Sequence, residues 1–342
     1  MRTQQGVTDL DGIPHNHASI VYDTHMSVDT ANDLSLARIE QASRLIDPVF
    51  RNSPQFRDLT LSRRLGRDLL VKVESVNPVR SFKGRGADFC VSQLPAGRRV
   101  VCASAGNFGQ AMAYAGRTHG VPVTVFAATD ANPNKVARMR TLGAEVVLTG
   151  HDFDAAKAAA REHVATRPES LFVEDGEDPR IAEGAGTIGV ELAAEAPDAL
   201  LLPVGNGALV GGVGRWLKAH SPATRIIGVC AEGAPAMAHS WRAGRPVATD
   251  RAETMADGIA VRVPVPVAVG WMGRYMDDML LVGEEDIPPA LELVRDTLGL
   301  LLEPAGAVGV AAVLRHNPEG KKLATVLTGG NFSPELLRRL AG

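Results

Sequence analysis

Short runs of consecutive apolar residues alternate along this chain with longer stretches in which apolar positions recur every three or four residues. The first half shows DLLVKVES, RRVVCAS, VPVTVFAA and AEVVLTG as strand-like runs, with GQAMAYAGRTHG and NPNKVARMRTLG carrying a helical period between them. The pattern returns as ALLLPVG, a helix through VGRWLKAH, RIIGVCAE, the helix AGAVGVAAVLRH and finally KLATVLTGG. Strand and helix in regular succession predict parallel βαβ units, so both halves read as α/β. In such folds ligands sit at the carboxyl ends of strands, where glycine-rich turns let backbone amides approach them. That directs attention to the turns after RRVVCAS, after LLLPVG and after LATVLTG. Residues 1–34 are polar and lack clear periodicity, which reads as an extension that is flexible or docks late on the surface or on a partner subunit. The pair His15 and His17 within it has no third ligand nearby and reads as surface residues rather than a metal site.

The length of 342 residues favours two domains, or one large α/β domain with an insertion. A net charge of -3, from 36 basic and 39 acidic residues without a basic block, leaves no electrostatic footprint for nucleic acid or anionic lipid, so neither partner is expected. The cysteines Cys90, Cys102 and Cys230 are far apart, form no C-x-x-C and leave an odd one over, which suits a reducing cytosol. No apolar run is long enough to span a bilayer, and the first residues lack the apolar core of a signal peptide. The expected location is cytoplasmic.

Four stretches carry candidate chemistry. In SFKGRGADF, Lys83 follows Phe82 and opens a helix amid the three converging glycine turns, so the alternatives are a solvated cation and an amine of lowered pKa that bonds a carbonyl. In LLLPVGNGALVGG, a strand runs into Gly205, Asn206, Gly207, Ala208 and Leu209 and then a helix, which suits a phosphate held by amides at a helix N-terminus. A dinucleotide fingerprint, with Glu232 beyond the next strand, and a plain tight turn fit that segment as well; the third glycine of the fingerprint is replaced by Val210. In VCASAGNFGQ, residues Ser104, Ala105, Gly106, Asn107 and Phe108 either hold a carboxylate or merely cap the helix that follows. In LATVLTGGN, Thr328 ends a strand before a glycine pair, where its hydroxyl meets a ligand or the strand simply terminates.

Together these stretches resemble the fold-type II pyridoxal-phosphate enzymes, in particular the serine/threonine dehydratase and serine racemase group. SFKGRGA, SAGNFGQ, IAEGAGTIGVEL, GNGAL and TGGN follow in the order of that family's motifs, with MADGIAV and LLEPAGAVG also similar, so the resemblance covers about residues 35–342. It displaces the dinucleotide reading. It implies a two-domain α/β fold of the tryptophan synthase beta type, each domain a mostly parallel sheet flanked by helices, with residues 98–174 inserted into a larger cofactor-binding domain of residues 35–97 and 175–342. It further implies pyridoxal 5′-phosphate as cofactor and Lys83 as the Schiff-base lysine and proton shuttle. Phe82 would pack against the pyridine face, Asn107 would bond the 3-hydroxyl, Gly205 through Leu209 would cradle the phosphate, and Thr328 would face the pyridine nitrogen. Ser104, Ala105, Gly106, Asn107 and Phe108 would hold the substrate carboxylate.

A hydroxyl at Thr328 leaves the pyridine nitrogen uncharged, which favours prompt loss of a β-leaving group over a long-lived carbanion. The implied reaction is β-elimination from L-threonine, L-serine or a related β-hydroxy amino acid, giving a 2-oxo acid and ammonia. The alternatives are β-replacement, racemisation, or amino acid binding without turnover. Ala105 stands where the racemases of the group carry a second serine, and Gly84 where the synthases carry an aspartate, so both rival chemistries lose ground. Glu232 matches the first acid of the cation-activated members but Ala238 replaces the second, so no metal is expected. Phe108 and Asn206 depart from the usual histidine and glycine and leave the substrate open. The chain ends soon after TGGN, so no appended regulatory domain is expected, and the family suggests a homodimer.

Overall fold

The computed structural model describes residues 33–332 and Arg338. His15, His17 and almost all of the N-terminal extension lie outside the described residues; at its end Leu34 is buried and Asp33 accepts a hydrogen bond from the Tyr275 hydroxyl.

The described residues form ten strands: β1 (Gln55–Arg57), β2 (Asp68–Val73), β3 (Arg99–Ala103), β4 (Val123–Ala127), β5 (Glu145–Leu148), β6 (Ser170–Phe172), β7 (Ala199–Pro203), β8 (Arg225–Ala231), β9 (Asp278–Val282) and β10 (Lys322–Leu327). They build a six-stranded sheet in the order β1-β2-β10-β7-β8-β9 and a four-stranded sheet in the order β5-β4-β3-β6. Every pairing is parallel except that of β1 with β2. Continuous apolar runs are required because both faces of the larger sheet are covered. Along β7, Leu200 and Leu202 join one core and Ala199 and Leu201 the other; Ala324 and Val326 on β10 oppose Leu323 and Leu327 in the same way. The first core continues onto the small sheet through Val100 and Cys102, while Val101 and Ala103 face away from it with Phe126 and Ala160. One packed interior therefore joins the two sheets.

The helices begin earlier than their apolar period indicates. The helix after β3 spans Asn107–His119 and the helix after β7 spans Ala208–His220, so part of each glycine turn is already the first turn of a helix. In the small sheet the chain steps outward from β3 to β4 and β5, then returns to β3's other side with β6; in the large sheet it steps from β7 to β8 and β9, then returns with β10. The strand order thus reverses at β3 and at β7, and a reversal opens a crevice at the carboxyl end of the strand.

Candidate active site

The turns beyond β3, β7 and β10 converge on one cleft of about 430 Å³. The residues that the sequence offered for cofactor and substrate carboxylate line it: Phe82, Lys83, Ser104 through Phe108, Gly205 through Leu209, and Thr328.

Lys83 opens the helix Lys83–Ser92. Its approach is tied to the end of β10, since the Phe82 amide donates to the Thr328 carbonyl at 3.0 Å and Ser81 bridges to Gly329. Two residues on, the fully buried Arg85 anchors the same helix. Its guanidinium donates to Glu74 at 2.8 and 2.9 Å, just past β2, and to Glu191 at 2.7 and 3.0 Å on the helix Thr187–Leu192. Lys72 also pairs with Glu191, at 2.5 Å, so the buried charges balance. Lys83 Nζ reaches into the cleft, 4.6 Å from the centre of the Phe82 ring and 2.6 Å from Asp175 Oδ2.

Beyond β7, the amides from Gly205 to Leu209 donate to no protein acceptor among the described residues, and they stand at the N-terminus of Ala208–His220. Unpaired amides at the positive end of a helix form a binding place for an anion. Gly207 has φ +85°, where an L side chain is strained, and an added Cβ would lie 2.9 Å from the Ala268 methyl. Beyond β3, Ser104 Oγ accepts from the amides of Gly106 at 3.1 Å and Gly109 at 2.9 Å, so the serine does cap the turn. The amides of Ala105, Asn107 and Phe108 remain without a protein acceptor among the described residues, which leaves the turn three donors for a second anion.

Asn107 is held from both ends. Its amide nitrogen donates to Glu303 Oε1 at 2.5 Å and its oxygen accepts from Asn331 at 2.9 Å, which fixes the amide's orientation. Burial pushes the Glu303 carboxyl up to about 7, with the charge of Asp257 adding to the shift and Lys135 and the Asn107 amide opposing it. Thr328 is buried, its hydroxyl 3.4 Å from the Ala305 carbonyl. Glu232, set against the cation-activated pattern in the sequence, pairs with Arg315 at 2.7 Å, and Ala238 is wholly buried.

Sequence reading did not single out Asp175, Glu303 or Asn331. Glu303 stands within LLEPAGAVG and Asn331 within TGGN, so their segments were visible while their side chains were not. Asp175 belongs to a loop of mixed acids, VEDGED, where nothing local separates one carboxylate from its neighbours.

Comparison with known proteins agrees with this geometry. The family described as pyridoxal-phosphate dependent enzyme matches residues 46–329. The chain is 36% identical over 313 residues to the L-threonine ammonia-lyase of Thermotoga maritima, spanning 90% of this chain and 78% of that one. Its fold superposes on the processed threonine deaminase isoform 2 of Solanum lycopersicum with a TM-score of 0.81 at 31% identity, covering 90% of this chain and 94% of that one. Maize serine racemase superposes with a TM-score of 0.84 at 24% identity, covering 90% and 96%, a likeness of fold alone. With the family match spanning most of the chain and the residues of its motifs gathered in one cleft, this protein belongs to the pyridoxal-phosphate dependent enzymes of fold type II.

Proposed function

We propose that this enzyme eliminates water from L-threonine, L-serine or a related β-hydroxy amino acid, giving an enamine that water hydrolyses to a 2-oxo acid and ammonia. The observation that carries the reading is the meeting, in one cleft, of the Lys83 amine with two separate sets of unpaired amides.

The residues fit the family's cofactor. The amides from Gly205 to Leu209 suit a phosphate dianion, the Phe82 ring suits the face of a flat heterocycle, and Thr328 presents a hydroxyl rather than a carboxylate. When bound, pyridoxal phosphate supplies the electron sink that acidifies the α-proton of an amino acid and allows a β-substituent to leave. The protein's own residues do the rest. The amides of Ala105, Asn107 and Phe108 hold the substrate carboxylate and so orient the α-carbon toward Lys83. Lys83 Nζ takes the α-proton. Asn107, its amide locked by Glu303 and Asn331, presents a fixed donor edge to the cofactor's 3-hydroxyl. The Thr328 hydroxyl would donate to the pyridine nitrogen without charging it, which would favour elimination. Ala105 offers no proton, so the face opposite Lys83 lacks a base at this position.

The four-stranded sheet constitutes a lobe, residues 98–174, inserted into the lobe formed by residues 35–97 and 175–342, with the cofactor between them. The enzyme works as a cytoplasmic homodimer without nucleic-acid or membrane partners; among the described residues no helix is long and apolar enough to cross a membrane.

Purified protein loaded with pyridoxal phosphate and given a panel of β-hydroxy amino acids is expected to release ammonia and the matching 2-oxo acid in equal amounts. Formation of the D-enantiomer, or of a new β-substituted amino acid in place of the oxo acid, overturns the proposal.

A further inference from the structure

The carboxylates lining the cleft have partners within the protein, and Asp175 alone among those named here depends on Lys83. Asp257 pairs with Lys135 and Asp154 with Arg262. Glu174 is held by Lys157 at 3.1 Å and Arg161 at 2.5 Å, and Glu303 by the Asn107 amide. Asp175 Oδ2 has Lys83 Nζ at 2.6 Å and, more distantly, the Asn206 amide at 3.4 Å. Asp175 is only 8% exposed, and its other oxygen, Oδ1, is buried with no hydrogen-bond partner among the described residues. The next residue, Gly176, has φ +87°, and a Cβ there would collide with the Asn206 carbonyl. The carboxylate is therefore set in place by the backbone pressing against the loop after β7. A buried oxygen without a donor is costly unless a ligand completes it.

We propose that Asp175 is the acid that protonates the departing β-hydroxyl, and that Lys83 recharges it; this rests on the elimination reading above. Elimination of water needs a proton delivered to a poor leaving group, and the proton available is the one Lys83 removes. The Cα–H bond breaks, its proton passes to Lys83 Nζ, and its electron pair becomes the second bond between Cα and Cβ. The Lys83 ammonium hands that proton to the Asp175 carboxylate across the 2.6 Å contact, the Cβ–O bond breaks, and oxygen leaves with the electron pair of that bond and takes the proton from Asp175, forming water. Lys83 is left as the amine and Asp175 as the carboxylate, so the pair is ready for the next turnover.

The test compares two leaving groups in Asp175→Asn, whose side chain keeps the shape but cannot act as an acid. Oxo-acid release from L-serine is expected to fall about 100-fold, the scale of general acid catalysis, while β-chloro-L-alanine, whose chloride leaves without a proton, keeps its wild-type rate. Exchange of the α-proton of L-serine in deuterium oxide, followed by proton NMR, should persist, and the cofactor's absorption band and dissociation constant should match the wild type. Equal losses on both substrates would overturn the assignment, as would loss of cofactor binding, because either makes Asp175 a support of the site. Wild-type protein that releases no oxo acid from either substrate refutes the elimination reading itself.

Discussion

Glu303 is a carboxyl placed where ionisation is unfavourable, and its consequence is a pH dependence with a definite sign. Its folded value of about 7 exceeds the ordinary 4.5, so between those values the folded protein keeps a proton that the unfolded chain releases. The stability it contributes is complete below pH 4.5 and is lost as pH rises through 7, a change on the order of 3 kcal/mol. Glu303→Gln, which keeps an oxygen for the Asn107 amide, is expected to remove that slope; denaturant titrations from pH 5 to 8 measure it, and an unchanged slope would assign the pH dependence elsewhere. Lys83 is the residue whose loss should be absolute. Lys83→Ala is expected to abolish turnover, read as 2-oxo acid release, and the borohydride-stable cofactor label on the peptide containing residue 83, read by peptide mapping.

At the scale of elements, two features make the site. The turn entering Ala208–His220 needs Gly207 in the left-handed region with no side chain toward Ala268. Gly207→Ala is expected to cost about 1–2 kcal/mol of strain, and because that strain falls on the unpaired amides proposed to hold the phosphate, cofactor affinity measured by absorbance titration should fall more than the melting temperature of the cofactor-free protein. The helix Lys83–Ser92 is held by Arg85 between Glu74 and Glu191. Arg85→Met strands the Glu74 carboxylate in the interior, while Glu191 keeps Lys72, and is expected to destabilise the fold by about 3–5 kcal/mol, measured as a shift in the denaturant midpoint. The sequence showed both elements in outline. The SFKGRGA stretch marked Lys83, yet Arg85 reads there as an ordinary surface cation, since its acids lie 11 residues before it and 106 after it in the chain.

Across the whole molecule, the walls of the cleft are joined by ion pairs between segments more than 100 residues apart, Lys135 with Asp257 and Arg262 with Asp154. These groups are partly exposed, so Arg262→Ala is expected to change stability little, and to raise the substrate KM with little change in kcat. The order of elements, the α/β class, the glycine turns and Lys83 were legible in the sequence, because buried strands, helical periods and backbone-permissive glycines are local properties, recorded within a few residues. The strand orders that bring β3, β7 and β10 to one cleft were not, nor was the contact of Lys83 with Asp175, 92 residues away in the chain. Local pattern determines which elements form, whereas the partner of a buried charge depends on which surfaces pack together. Only the tertiary structure could single out, among the acids of VEDGED, the one that faces the lysine.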